Sequence, residues 1–173
     1  WAHRLGGKDG FYNIGQVLDT QVDAIVTAGY KSVICFRADG ETTTRIWTDP
    51  AVGPIDNHEF SDSNGNWNLT LEKDTFESAG VTWYSAPVSG DPEYDSQVFY
   101  EYVPIFESAA ASGPVLTHCR SGHRAAIYTL TYIGMVSGLC SDWAMESAAE
   151  VGFHLNEESD SDALNMFSQV LGC

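Results

Sequence analysis

The sequence predicts a single α/β domain of three layers, in which a four- or five-stranded, largely parallel sheet carries helices on both faces. Short β-branched or apolar runs alternate along the chain with longer segments whose apolar residues fall at helical spacing, as in successive β-α-β units. A length of 173 residues, 43% hydrophobic and 12% aromatic, is enough to bury one core.

The charge of the chain limits its partners. The formal net charge is −16, with only eight lysines and arginines, which argues against binding to nucleic acid or to an anionic membrane. No apolar run reaches the roughly 18 residues that would predict a transmembrane segment. The acidity, and a chain that starts at Trp1 rather than Met, suggest an organelle interior such as a plastid lumen, or export, and leave the compartment open.

The first third of the chain predicts two strands and one helix. Residues 1–10 are polar and glycine-rich, so we expect a loosely held segment ahead of a domain over 11–173. Its predicted elements are a strand over 11–14, a helix over 18–28 closed by Gly29, and a strand over 32–36. Arg37 and Asp39 lie in the exit turn of that strand. Because ligands of parallel sheets bind beyond the carboxyl ends of the strands, both are candidate anion-binding residues.

An irregular insertion is predicted over about 42–70. It contains Trp47 and Trp67 and an Asn/Gly/Ser-rich stretch. Long irregular insertions are typical of lids, binding surfaces or mobile loops. The two tryptophans favour a packed surface for a protein partner, whereas a lid over the site is the alternative.

The rest of the chain continues the alternation. The predicted elements are a helix over 71–79, a strand over 81–88, a helix over 95–111 that Pro104 kinks or breaks, a strand over 115–117, and helices that start at about 122, 142 and 156. Asp91 lies in the exit loop of the strand over 81–88. It is a candidate general acid, and capping of the next helix is an equally good interpretation.

The most informative stretch is the loop Cys119-Arg120-Ser121-Gly122-His123-Arg124, which we call the anion loop (residues 119–124). It follows a buried strand and opens a helix. Its amides and the helix dipole place partial positive charge around the cysteine, which favours the nucleophilic thiolate. Arg124 adds a bidentate fork for an oxyanion. We therefore expect Cys119 as nucleophile and Arg124 as its catalytic partner, with Arg120, Ser121, Gly122 and His123 lining the anion site.

The anion loop resembles two families of thiol enzymes. His118 before the cysteine is similar to the His-Cys of tyrosine and dual-specificity phosphatases, whereas four residues between cysteine and arginine resemble rhodanese-type sulfurtransferases. A third family, the phosphatase-like domain of beta-lactamase-hydrolase-like proteins, joins both features. Three other segments of the chain also resemble this third family: Tyr12-Asn13-Ile14-Gly15-Gln16, residues 29–41 and residues 143–155. This resemblance spans roughly residues 10 to 156. It implies a phosphatase-like fold, a loop braced by His118 and, from the phosphatases, leaving-group protonation by Asp91.

The resemblance leaves the reaction open. A loop one residue shorter than the phosphatase loop suits a sulfane sulfur better than a phosphate. Ala125 stands where phosphatases carry a Ser or Thr that assists hydrolysis of the phosphoenzyme. The hypotheses are a cysteine-dependent enzyme acting on a small anionic phosphoryl or sulfane-sulfur substrate, and an accessory subunit of weak or no activity on the same scaffold. An open Cys119 would favour the enzyme, and an occluded one the accessory subunit.

The four cysteines do not have metal-ligand spacing, and we expect neither a metal nor a cofactor. Cys35 lies in a predicted strand. Cys140 and Cys173 pair if the compartment is oxidising, and two free thiols are the alternative.

Overall fold

The computed structural model describes residues 2–6, 10–41, 48–49, 53–54, 60, 67–89 and 93–173, with only the backbone of 48–49 and 53–54. The strands are β1 (His3–Arg4), β2 (Phe11–Ile14), β3 (Ser32–Cys35), β4 (Thr48–Asp49), β5 (Gly53–Pro54), β6 (Thr82–Ser85) and β7 (Val115–His118). A 3-10 turn over Asp19–Gln21 precedes the helices α1 (Val22–Thr27), α2 (Leu69–Ser78), α3 (Ser96–Ala111), α4 (His123–Ser137), α5 (Ser141–Glu150) and α6 (Ser161–Leu171).

The main sheet has five strands in the order β1-β2-β7-β3-β6. The four strands from β2 to β6 run parallel, and β1 pairs antiparallel with β2 at the edge. Strands β4 and β5 form a separate antiparallel pair. The predicted class, one α/β domain with a largely parallel sheet, is confirmed.

Alternation along the strands divides the core into two layers. Val33, Cys35 and Leu116 pack with residues of α1 and α2 on one face of the sheet. Ile34 and Val115 point the other way and pack with α3, α4, α5 and α6. Successive strand residues face opposite sides, so each short buried run supplies both layers.

Several predicted boundaries differ from the structure. The strand predicted over 81–88 is limited to Thr82–Ser85, and the helix predicted over 18–28 is a 3-10 turn followed by the shorter α1. Two further differences have a local cause. The first ten residues are not uniformly loose, because His3 and Arg4 pair with β2 and Leu5 is fully buried. Helix α6 begins five residues later than predicted. The side chain of Asn156 accepts hydrogen bonds from the amides of Glu158 and Ser159, and this local turn replaces the first helical turn.

Pro104 does not break α3, which runs without interruption from Ser96 to Ala111. Proline removes the hydrogen bond to the carbonyl four residues earlier, which here belongs to Tyr100. The Tyr100 side chain is 54% exposed. On this side of the helix water can take the place of the lost donor, and the helix continues.

A disulfide joins Cys140, just before α5, to the terminal Cys173, with 5.4 Å between their Cα atoms. Of the two alternatives open from the sequence, the structure has the paired one. Cys35 and Cys119 are free and buried.

None of the helices in the described part of the chain has the length and apolar character that crossing a bilayer requires.

Candidate active site

The anion loop starts at the carboxyl end of β7 and ends in the first turn of α4. Cys119 follows the last strand residue, and its Sγ accepts a hydrogen bond from the amide of Gly122 at 3.2 Å. Gly122 has φ 91°, a conformation that favours glycine. A Cβ there would lie 3.1 Å from Asn13 Nδ2 and 3.2 Å from the Ile14 carbonyl oxygen. The glycine therefore lets the loop turn tightly enough to aim an N–H at the sulfur.

The end of β2 supports the back of the loop. Asn13, 2% exposed, donates from Nδ2 to the Gly122 carbonyl at 3.1 Å. The amide of Gln16 donates to the Arg120 carbonyl at 3.0 Å. These bonds tie two loop carbonyls to β2 and to the residues that follow it. Sequence reasoning gave Asn13 no role, although a buried amide side chain inside a strand is a signal that it has a fixed partner.

Arg124 is held on two of the three edges of its guanidinium. Its Nη1 and Nη2 donate to Glu41 Oε1 and Oε2 at 2.6 and 2.9 Å. Nη1 also donates to the carbonyl of Val88 at 2.8 Å. On the third edge, Nε lies 3.5 Å from Glu93 Oε1. Burial disfavours the charge, but Glu41, Cys119 and Glu93 outweigh it and raise the pKa of Arg124.

Glu41 joins two arginines. Its carboxylate accepts from Arg124, from Arg37 Nε at 3.3 Å and from the amide of Ala38 at 2.9 Å. Burial acts to raise the pKa of Glu41, and the hydrogen bonds from Arg124 and Ala38 with the charges of both arginines lower it. Glu41 is thus a fixed anion that orients Arg124. From the sequence, Glu41 is identified only as the last residue of the segment 29–41, because no local pattern shows that it pairs with Arg124.

Arg37 is fully buried behind Glu41, and this differs from its predicted role as a direct anion ligand. Its guanidinium contacts Glu41 and Gln16 Oε1, and its Cζ lies 4.8 Å from the ring centroid of Trp67. From this position Arg37 acts on the anion loop through Glu41. Asp39 is exposed, and within the described residues no hydrogen bond or ion pair joins it to the loop.

His118 points away from Cys119, to the α2 side of the sheet. Its Nε2 bonds with Glu72 Oε1 at 2.7 Å, and both side chains are fully buried. Glu72 also accepts from Trp83 Nε1 at 3.0 Å, Trp67 Nε1 at 2.8 Å and Gln16 Nε2 at 3.2 Å. Burial acts to raise the pKa of Glu72, but the charge and hydrogen bond of His118 and the two indoles lower it. His118 therefore anchors the end of β7 to an ionised carboxylate.

Among the described residues, one group of side chains has the spacing of a possible metal site. It consists of Cys35, Glu72 and His118, whose ligand atoms all lie within 4.8 Å of one another. Four N–H donors already occupy the two carboxylate oxygens. Burial, followed by the charge of Glu72, raises the pKa of the Cys35 thiol, which opposes the thiolate a metal needs. The donor set fits a hydrogen-bond network better than a metal site.

The other loop side chains lie at or near the protein surface. Arg120 and Ser121 are exposed, and Ser121 Oγ accepts from the amide of His123 at 3.4 Å. His123 Nδ1 lies 2.7 Å from the Tyr94 hydroxyl, and its Nε2 lies 3.7 Å from Asp160 Oδ1.

The segment after residue 92 is tied to α6. The amides of Glu93 and Tyr94 donate to Asp162 Oδ2 at 3.0 and 3.1 Å. This fixes the backbone next to the Nε edge of Arg124. Asp91, the predicted general acid, lies outside the described residues.

Comparison with known proteins places the fold. No protein-family model matches the chain, and no curated protein matches it in sequence. Among solved structures, TpbA of P. aeruginosa has a TM-score of 0.64 at 18% identity, over 98% of this chain and 89% of that chain. PTPMT1 has a TM-score of 0.64 at 14% identity, over 98% and 96%. A TpbA variant in complex with pTyr has a TM-score of 0.61 at 17% identity, over 99% and 95%. The chain has a phosphatase-like fold.

Proposed function

We propose that this protein is a cysteine-dependent phosphatase with Cys119 as nucleophile. One observation carries the proposal. On a phosphatase-like fold, the free Cys119 accepts a backbone N–H on its sulfur and shares the anion loop with Arg124, which the partly buried Glu41 carboxylate orients. An amide on sulfur stabilises negative charge there, and Arg124 offers its Nε edge to an oxyanion.

The proposed reaction has two displacements. Cys119 Sγ attacks phosphorus as the bond to the leaving oxygen breaks, and Asp91 gives that oxygen a proton. Water then attacks phosphorus and gives a proton to the Asp91 carboxylate, the S–P bond breaks, and inorganic phosphate leaves with the thiolate regenerated. Arg124 and the loop amides stabilise charge on the phosphoryl oxygens. Glu41, Arg37 and His118 hold these groups in place.

Sulfur transfer is the second candidate reaction, and the anion loop itself favours it. Only four residues separate Cys119 from Arg124, which makes a tighter nest than a phosphatase loop. Ala125 is fully buried and supplies no hydroxyl for the hydrolytic step. In this reaction the Cys119 thiolate attacks the outer sulfur of a sulfane-sulfur donor such as thiosulfate, and the donor S–S bond breaks with sulfite as the leaving group. A nucleophilic acceptor such as cyanide then attacks the outer sulfur of the Cys119 persulfide, and the thiolate is regenerated.

The accessory-subunit hypothesis also has an observation in its favour. Cys119 is fully buried, which is the occlusion that this hypothesis predicts. Its partner surface would be the insertion over about 42–70, most of which lies outside the described residues. Trp67 ties the end of that insertion to Glu72 and to Arg37, so partner binding there would reach the positioning residues of the site.

A paired assay on the purified chain separates the three. One arm follows phosphate release from an aryl phosphate and from a phosphotyrosine peptide, and the other follows sulfur transfer from thiosulfate to cyanide. Cys119→Ser is the inactive control, and Cys35→Ser is a matched control for a second buried thiol. The proposal is supported if the protein releases phosphate, Cys119→Ser abolishes this activity and Cys35→Ser retains it. Sulfur transfer alone replaces it with the second reaction. If a folded protein is silent in both arms and iodoacetamide does not alkylate Cys119, the accessory subunit is correct.

A further inference from the structure

The guanidinium of Arg124 has one edge left for a substrate. Glu41 takes the edge between Nη1 and Nη2, and the Val88 carbonyl takes the outer hydrogen of Nη1. A planar guanidinium then retains the edge formed by Nε and the second hydrogen of Nη2. An oxyanion that binds Arg124 in a bidentate fashion must use this edge, since displacing Glu41 would break its bonds to Arg37 and Ala38 as well.

Glu93 occupies that edge in this structure. Its Oε1 lies 3.5 Å from Arg124 Nε. The contact is longer than a good hydrogen bond, and the Glu93 side chain is 44% exposed, whereas the Glu41 side chain is 23% exposed. The Glu93 backbone is held by Asp162, so only the side chain is free to turn. Glu93 is therefore the weaker, displaceable carboxylate of the two.

We propose that Glu93 is a specificity-determining residue that selects phosphate monoesters with a positive charge next to the phosphate. This rests on the proposed phosphatase function. When the phosphate binds the Nε edge of Arg124, it displaces the Glu93 carboxylate. This carboxylate then lies beside the anion loop without a cationic partner. A cationic group of the substrate that lies a few ångströms from phosphorus replaces the arginine as its partner.

The surroundings reinforce this selection. Asp160 and Asp162 lie on the same side of the loop, near His123 and the Glu93 amide respectively. The whole chain carries a net charge of −16. This field repels a bare dianion, and a cation on the substrate offsets the repulsion. The shared chemistry is a zwitterionic phosphate monoester, either a phosphopeptide with flanking basic residues or a small aminoalkyl phosphate.

The test compares matched substrates at low ionic strength. One pair is a phosphotyrosine peptide flanked by arginines against the same peptide flanked by glutamates, and the other is phosphoethanolamine against ethyl phosphate. We expect kcat/KM to favour the cationic member, and Glu93→Gln to reduce that ratio about fivefold, the size of one exposed ion pair at low salt. Glu77→Gln is the matched control, because Glu77 is exposed at the opposite end of the sheet, beside the start of β6. The series that shows the preference identifies the source of the substrate.

A binding arm separates this inference from the proposed function. In the Cys119→Ser background, calorimetry with inorganic phosphate should show tighter binding in Glu93→Gln, because the competing carboxylate is gone. If the enzyme turns over substrate but Glu93→Gln leaves the ratio unchanged, or lowers kcat equally for both members of a pair, Glu93 does not select substrates and the phosphatase function stands. If no phosphate is released from any substrate, the phosphatase function fails, and the calorimetric comparison still decides whether Glu93 competes for the Arg124 edge.

Discussion

His118 and Cys119 are neighbours in sequence and act on opposite sides of the sheet. Strand alternation sends His118 to the α2 face and Cys119 to the α4 face. The histidine therefore anchors the strand from behind, while the cysteine faces the loop. A chain of contacts, Arg124 to Glu41 to Arg37 to Gln16 to Glu72 to His118, connects the two sides.

Glu41→Gln tests that connection at the arginine. A glutamine side chain has one acceptor oxygen and an NH2 group in place of the second oxygen, and it carries no charge. It cannot accept the paired hydrogen bonds from Nη1 and Nη2, so Arg124 loses its fixed orientation. We expect phosphatase kcat/KM to fall by about 10- to 100-fold, the usual cost of a misplaced catalytic group. Steady-state kinetics measures it, with the exposed Asp23→Asn on α1 as a control of equal charge change. Equal activity of Glu41→Gln and wild type would show that Arg124 does not need this carboxylate.

The pH dependence of stability tests Glu72. Its pKa is lowered in the folded protein, below the ordinary value of about 4.3 for an unfolded chain. The ionised carboxylate therefore contributes stability above that ordinary pKa, and the contribution is lost as the pH falls through the folded pKa. Glutamine does not titrate. We expect the free energy of unfolding to fall more steeply from about pH 6 to pH 3 in wild type than in Glu72→Gln, with the two curves converging in acid.

Urea unfolding across this pH range provides the measurement. Glu77→Gln, at an exposed position of the same helix, should follow the wild-type curve. Parallel curves for wild type and Glu72→Gln would contradict the lowered pKa.

At the scale of elements, the anion loop owes its shape to one glycine and two neighbouring strands. Gly122→Ala puts a Cβ against Asn13 and the Ile14 carbonyl at a positive φ. Relief requires the loop to move away from β2, and this turns its amide off Cys119 Sγ. We expect a loss of about 1–3 kcal/mol in stability and the loss of phosphate binding measured by calorimetry. Gly40→Ala, also at positive φ but with nothing within 4 Å of the added Cβ, is the matched control. Intact phosphate binding in Gly122→Ala would show that the loop tolerates the strain.

Most strands and helices and the anion loop can be predicted from the sequence. The residues that contact and support the anion loop cannot. Periodicity gives the strands β2, β3 and β7 and the helices around them, because burial repeats at fixed spacing. The Cys119–Arg124 spacing marks the loop because all its parts are local. Glu41, Glu72 and Glu93 act through contacts with Arg124 and His118 that span 83, 46 and 31 positions of the chain. No local pattern distinguishes these glutamates from the acidic residues that cover the surface.

For the whole molecule, the acidic surface has a consequence for stability. A net charge of −16 over one small domain means that most surface charges repel one another. Three of the eight lysines and arginines, Arg37, Arg120 and Arg124, lie at or beside the anion loop. Within the described residues, Arg37 and Arg124 form their ion pairs with Glu41 and Glu93. The domain must gain its stability elsewhere, from the two-layered core and from the disulfide.

The disulfide between Cys140 and Cys173 should contribute to stability without affecting the site. It closes a segment of 33 positions, for which the chain-entropy model gives about 3–4 kcal/mol. We expect reduction, or the double variant Cys140→Ser and Cys173→Ser, to lower the free energy of unfolding in urea by about this amount. The bond lies beyond the far end of α4, whose 15 residues put it roughly 22 Å from the anion loop. Phosphate binding at temperatures well below unfolding should therefore be unchanged. Reductant added to the double variant controls for effects on Cys35 and Cys119, and loss of phosphate binding in the folded double variant would show that α4 transmits the constraint to the loop.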